Sequence, residues 1–235
     1  MDFRGKAAVV TGGARGIGKA LCEAFGERGA QVLSIDRLPH DGFTGDIADP
    51  RVLEAFAAQV LEQFGNIDYL IHNAMLTHGG LESCGWDEFN EVLRVGVAAP
   101  YYLTRLLAGR FRPGGAIVNL SSTRFLMSQK NTESYTAAKG GITALTHAMA
   151  ATLAGRVRVN AVAPGWIDTT AGSFSEADRQ QHPAGRVGVP EDIVQAVLFL
   201  CGEESAFITG QVLTVDGGMT RRMIYTGEEG WTFRP

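Results

Sequence analysis

The sequence predicts a doubly wound α/β fold: a mostly parallel seven-stranded, or slightly clipped, sheet with helices on both faces. Three observations carry this. Short apolar runs alternate with longer amphipathic stretches along most of the chain. The short runs are rich in β-branched residues, as strands buried on both faces are. A glycine-rich turn joins the first short run to the first helical stretch. Such alternation implies right-handed crossovers and a sheet covered on both sides.

Strands are expected at 7–10, 31–35, 69–71, 116–120, 157–162 and 212–215. Helices are expected over 18–28, from Asp49-Pro50 to near Gly65, and over 87–107, 132–154 and 190–200. Asp49 suits an N-cap and Pro50 the first helical position. Only nine residues separate Asp36 from Asp46. That is too short for a full helix and strand, so a clipped crossover is expected, with Phe43 in a rudimentary strand. The chain shows no linker, low-complexity tract or internal repeat. Residues 1–235 are therefore read as one domain, with 219–235 as a C-terminal tail.

Composition excludes several classes. With 45% hydrophobic and 20% charged residues, the chain is not of a disordered type. The 30 glycines in 235 residues exceed the ordinary ~7% without a collagen period, and point to tight turns and close backbone approaches. A net charge of −4 argues against a nucleic-acid or anionic-membrane surface. No apolar run reaches the ~18 residues of a membrane span. The three cysteines, Cys22, Cys84 and Cys201, form no C-x-x-C pair. Neither a disulfide framework nor a zinc site is indicated, and a cytoplasmic setting is expected. The five histidines show no metal-ligand spacing, so no metal is expected.

Thr11-Gly12-Gly13-Ala14-Arg15-Gly16-Ile17-Gly18 follows the first strand and opens the first helix. Glycines allow the tight turn, and the helix N-terminus offers free N–H groups and partial positive charge. A pyrophosphate satisfies both. Asp36 ends the second strand, where a carboxylate can accept from ribose hydroxyls and repel a 2′-phosphate. This predicts NAD rather than NADP. Arg15 and Arg37 stand nearby as further cofactor contacts, and they are the groups that would hold a 2′-phosphate bidentately.

Tyr135-Thr136-Ala137-Ala138-Lys139 places a phenol and an ammonium one helical turn apart. A free phenol, with pKa near ~10, is a poor base at neutral pH. A neighbouring ammonium stabilises the phenolate and fits the Tyr for proton exchange with an alcohol or carbonyl. Ser122 lies thirteen residues earlier, at the end of a strand candidate, where this fold class binds ligands.

These motifs resemble those of the classical short-chain dehydrogenase/reductase family, whose glycine loop reads T-G-x-x-x-G-x-G. The resemblance runs over residues 5–219. It implies a Rossmann-type fold and a Ser122, Tyr135, Lys139 catalytic set. In that set Ser122 bonds the substrate oxygen and Tyr135 is the acid/base. Lys139 holds the nicotinamide ribose and depresses the Tyr pKa. It implies cofactor contacts from Gly12, Gly16, Ile17 and Gly18, from the adenine pair Asp46-Ile47, and from Asn73-Ala74. Further contacts are implied from Tyr135, Lys139, Pro164, Gly165, Ile167 and Thr169. The late segments 186–192 and 215–218 match as well. A homo-oligomer, tetramer or dimer, is implied, with a small-molecule alcohol or ketone as substrate.

Two departures stand out. His72-Asn73-Ala74-Met75 replaces the family's N-N-A-G, and Val95-Gly96-Val97 replaces V-N-L, whose Asn serves a proton relay beyond the Lys. The segment 170–183 is short for a substrate lid. The tail carries Met223, Ile224, Tyr225, Trp231 and Phe233, and is expected to pack on its own subunit or a neighbour. Pocket candidates are Met75, Thr77, Arg124, Leu126, Gln129, Trp166 and Phe174, with His78 and His182 close by.

The function expected is NAD-dependent hydride transfer between nicotinamide and a secondary alcohol or ketone. The alternatives are an NADPH-dependent 3-oxoacyl carrier-protein reductase and a dinucleotide-binding module with little turnover.

Overall fold

A computed structural model describes residues 1–225 and 227–230. Seven strands form one sheet in the order β3-β2-β1-β4-β5-β6-β7. They are β1 (Ala7–Thr11), β2 (Gln31–Asp36), β3 (Phe43–Thr44), β4 (Ile67–His72), β5 (Phe111–Leu120), β6 (Val157–Pro164) and β7 (Val212–Val215). Every pairing is parallel. The chain winds outward from β1 in one direction and from β4 in the other. The crevice beyond the carboxyl ends of β1 and β4 is the switch point at which such sheets bind ligands.

Seven α-helices accompany the strands among the described residues: α1 (Gly16–Glu27), α2 (Pro50–Phe64), α3 (Trp86–Leu93), α4 (Ala99–Leu107), α5 (Glu133–Thr152), α6 (Glu176–Gln180) and α7 (Pro190–Cys201). Alternate strand residues feed two cores. Val9, Leu70 and Ile117 pack with Phe56 and Val60 of α2 and Leu103 of α4. Ala8, Val10, Ile71 and Val118 pack with Leu21 and Phe25 of α1 and Val194 and Val197 of α7. The sheet is thus buried on both faces, which is why its strands read as short apolar runs rather than alternating ones.

The Asp49 cap and Pro50 start are observed: the Asp49 carboxylate accepts from the Arg51 N–H. The clipped crossover is observed too. β3 has two residues, and no helix lies between β2 and β3.

The expected single helix over 87–107 is instead three pieces. α3 runs into a π-helical turn, Arg94–Ala98, before α4 begins. Pro100 has no N–H to offer the Gly96 carbonyl, and the wider turn accommodates that missing rung. Helix α6 was not anticipated. Its signal lies in Ser175-Glu176-Ala177-Asp178: the Ser175 hydroxyl accepts from the Asp178 N–H, and the Asp178 carboxylate accepts from the Ser175 N–H.

In the tail, Met219–Arg221 forms a 3₁₀ turn, and Met223 and Tyr225 are exposed on this subunit. Trp231 and Phe233 lie outside the described residues. No helix among the described residues is long and apolar enough to cross a membrane.

Candidate active site

β1 ends at the glycine loop, and the end of β4 is stitched to it. Asn73 N–H and Ala74 N–H donate to Thr11 Oγ1 at 3.0 and 3.1 Å. The Asn73 amide donates to the Thr11 and Gly12 carbonyls, both at 3.0 Å. Asn73 therefore also holds the two strand ends together. Gly12 has φ +76°, and a Cβ there would stand 2.8 Å from Asn73 Nδ2. A Cβ on Gly18 would stand 1.9 Å from the Gly12 carbonyl. Gly18 is buried and acts by letting α1 close on the loop, and it does not line the cleft.

The loop borders a cleft of about 500 Å³. Of the residues singled out by sequence, Gly12, Arg15, Gly16 and Ile17 line its loop side. Asp36, Arg37, Asp46, Ile47, Asn73, Ala74 and Thr169 line it too. Leu38, Leu76, Val95 and Thr170 line it as well, and sequence reasoning passed them over. The Asp36 carboxylate sits at the end of β2. Its Oδ2 accepts from Ala14 N–H at 3.1 Å and its Oδ1 from Leu38 N–H at 3.0 Å. Each oxygen keeps a further lone pair for a hydroxyl.

A dinucleotide fits this donor set. α1 begins without a side-chain cap and without an acid in its first turn, so its leading N–H groups are free to meet a phosphate.

At the other end, Ser122 follows β5, and Tyr135 and Lys139 lie one turn apart on α5. Ser122 and Lys139 are buried. Lys139 Nζ donates to the Leu120 carbonyl at 2.6 Å and stands 5.4 Å from the centre of the Tyr135 ring. Ser121, the neighbour, is committed elsewhere: its hydroxyl is 2.5 Å from Thr143 Oγ1.

Burial pushes the Tyr135 phenol above its ordinary value, while the Ser122 hydroxyl and the Arg124 charge pull it down. Burial brings the Lys139 ammonium down to about 7. The groups that pull the phenol down are thus Ser122 and Arg124. The same desolvation that raises the phenol leaves Lys139 only partly charged at neutral pH.

A second cleft, about 880 Å³, opens at Ser122 and Tyr135. Thr77, Arg124, Gln129, Trp166, Gly165 and Ile167 line it. Met127, Ser128, Thr132, Asp178, Gln181 and Met219 also line it, and they were not anticipated. Leu126 and Phe174 do not line it; Phe174 packs edge-on against Trp166, ring centres 5.3 Å apart. Met75 faces the cofactor cleft instead. Pro164 and Lys139 line neither cleft.

The histidines have partners of their own. His72 Nε2 is 2.9 Å from Thr104 Oγ1, His78 is 2.7 Å from Glu91, and His40 is 2.9 Å from Ser34. His182 is buried beside Trp166. Among the described residues no cluster of His, Cys, Asp or Glu is arranged to hold a metal.

The parallel sheet and the glycine loop on an uncapped helix define a Rossmann-type dinucleotide fold, and a second cleft has Ser122 and Tyr135 in its wall. The comparisons make the class specific. Residues 12–220 match the model of a family described as enoyl-(acyl carrier protein) reductase. The chain belongs to the classical short-chain dehydrogenase/reductase family. It is 37% identical to an uncharacterized oxidoreductase of Thermotoga maritima, covering 95% of this chain and 99% of that one. It is 34% identical to the 3-oxoacyl-[acyl-carrier-protein] reductase of Vibrio cholerae, covering 93% and 99%. An apo SCOR enzyme of Clostridium thermocellum superposes with a TM-score of 0.93 at 42% identity, over 98% and 99% of the two chains.

Proposed function

We propose that this protein is an NAD-dependent dehydrogenase/reductase acting on a secondary alcohol or ketone through Ser122, Tyr135 and Lys139. The observation that carries the reading is a pair of clefts at the carboxyl ends of the strands. The first is lined by the glycine loop and by Asp36, whose carboxylate is bonded to that loop. The second has Ser122 and Tyr135 in its wall, with Lys139 buried behind them. Gly12, Arg15, Gly16, Ile17, Asp46, Ile47 and Thr169 would hold the dinucleotide, with Asp36 on its adenosine ribose. When bound, the nicotinamide supplies or accepts the hydride.

In reduction, the Ser122 hydroxyl donates to the carbonyl oxygen and fixes its place. Tyr135 O–H then gives that oxygen its proton as negative charge develops there. In oxidation, the Tyr135 phenolate takes the alcohol proton. Because burial raises the phenol, Tyr135 is protonated at neutral pH and ready for reduction. Oxidation gains rate as pH rises toward the phenol pKa. The groups that favour the phenolate are the Ser122 hydroxyl and the Arg124 charge. Lys139, brought down to about 7 by burial and donating to the Leu120 carbonyl, would hold the nicotinamide ribose.

One second reading has a specific support. The 3-oxoacyl-[acyl-carrier-protein] reductase among the relatives covers nearly the whole chain, so an acyl thioester is a candidate ketone. The exposed Trp86 and Tyr101 of α3 and α4 support a homo-oligomer.

The test is Tyr135→Phe. Turnover of a ketone with NADH should fall about 100- to 10,000-fold, the usual contribution of an acid/base group. NADH affinity, read by fluorescence titration, should stay within a few-fold. Wild-type rates in that variant would overturn the assignment.

A further inference from the structure

Arg124 is the cation of the substrate cleft, and among the described residues no acid pairs with it. Arg124 is two residues beyond Ser122, and its backbone N–H donates to Ser122 Oγ at 3.2 Å. The residue is half-buried and lines the same cleft as Tyr135, with its guanidinium on the exposed side. Nη2 donates to Gln129 Oε1, a neutral amide. No salt bridge of the described residues includes Arg124. The acid on the cleft wall, Asp178, has Oδ2 bound by the Ser175 N–H and hydroxyl at 2.9 and 2.7 Å. It is thus tied to the start of α6. The Arg124 charge reaches the reacting oxygen, since it is one of the two influences that pull the Tyr135 phenol down.

A guanidinium held by one amide keeps most of its five donors for a ligand, and its fork matches a planar or tetrahedral oxyanion. We propose that Arg124 is a specificity-determining residue that binds an anionic group, carboxylate or phosphate, carried within a few bonds of the reacting carbon. The substrate class is then a short hydroxy or oxo acid, or a phosphorylated ketone or alcohol. Gln129 steadies the guanidinium. The inference rests on the Ser122-Tyr135-Lys139 reading and narrows it.

The test compares matched ketones reduced with NADH: acetoacetate against its methyl ester, and dihydroxyacetone phosphate against dihydroxyacetone. Wild type should prefer the anionic member of at least one pair, and which pair tells carboxylate from phosphate. In Arg124→Gln the ratio of kcat/KM, anionic over neutral, should fall about 10- to 100-fold, as for a lost charge-assisted hydrogen bond. Arg124→Lys should retain part of the preference. NADH affinity of the variants, unchanged, shows that they fold.

A wild type that prefers the neutral members of both pairs overturns the inference and leaves the oxidoreductase reading standing. So does an equal fall on both members of a pair, with the pH profile moved to higher pH; that result makes Arg124 an electrostatic aid to Tyr135 only. No turnover of any of the four ketones, with NADH bound, overturns the reading and the inference together.

Discussion

Met75 lies in the space that a side chain at position 96 would need. A Cβ on Gly96 would stand 2.9 Å from Met75 Sδ, 3.2 Å from Met75 Cε and 2.8 Å from Ala138 Cβ. The two departures from the family pattern are therefore one packing arrangement. The sulfur of a residue after β4 fills a gap left by the glycine in the π-helical turn, next to the helix that carries Lys139.

That contact predicts coupling. Gly96→Asn alone should destabilise by about 1–3 kcal/mol, because the new side chain meets both Met75 and the α5 surface. Met75→Ala alone should cost less than a fully buried methionine, since Met75 borders the cofactor cleft. In the double variant the Asn gains room, and the two changes should couple by at least ~0.5 kcal/mol. Urea unfolding of the four proteins measures it. Strict additivity would mean that the two side chains do not compete for the same space.

Asp36 governs the cofactor if the end of β2 faces the ribose. NADH should bind more tightly than NADPH in wild type, and Asp36→Ala should relax the preference. The variant loses ribose acceptors and also the repulsion of a 2′-phosphate, with Arg15 and Arg37 remaining. Side-by-side fluorescence titration decides it. Tighter NADPH binding in wild type would put the arginines in control and favour the carrier-protein reductase reading.

What the sequence made legible follows from the physics of each feature. The strands were readable because burial on both faces forces apolar runs, and the glycine loop because its turn and close approach admit little else. Tyr135 and Lys139 were readable because four-residue spacing puts them on one face. The π-helical turn was not, since nothing in 87–107 breaks the apolar period and only the missing Pro100 N–H forces it. The pKa pattern was not readable either. Adjacency in sequence showed that Lys139 could help Tyr135, but the depth at which both are buried decides that desolvation wins.

His72 gives a sign that can be checked. Burial lowers its pKa from 6.5 to about 3, so the folded state keeps it neutral while the unfolded chain takes up a proton below 6.5. Its contribution is fully present above about pH 6.5 and is lost as pH falls toward 3. His72→Asn removes that loss. Its stability relative to wild type should improve between pH 7 and pH 4, whatever the offset from the lost bond to Thr104. Denaturation at the two pH values reads the change, and an unchanged difference would place a charged or solvated His72 in the native state.

Lys139 should show the corresponding effect on the alkaline side. Its pKa is 10.5 when free and about 7 in the fold, with burial the cause. Between those values the unfolded chain holds a proton that the native state has released. Stability from this group therefore rises from about pH 7 and is complete above about pH 10.5; below 7 the buried charge is a constant penalty. Lys139→Met removes the penalty, but it also strands the Leu120 carbonyl, which now accepts from Nζ at 2.6 Å, at about 1–3 kcal/mol. These opposed terms leave the sign of the difference at one pH uninformative. Its slope is not: the Met variant's advantage over wild type should shrink steadily from pH 7 to pH 10, while other titrating groups cancel between the two proteins. Urea midpoints at those pH values test it. A flat difference would mean that Lys139 keeps its proton in the native state, paired as an ammonium with the groups around Tyr135 rather than held neutral by burial.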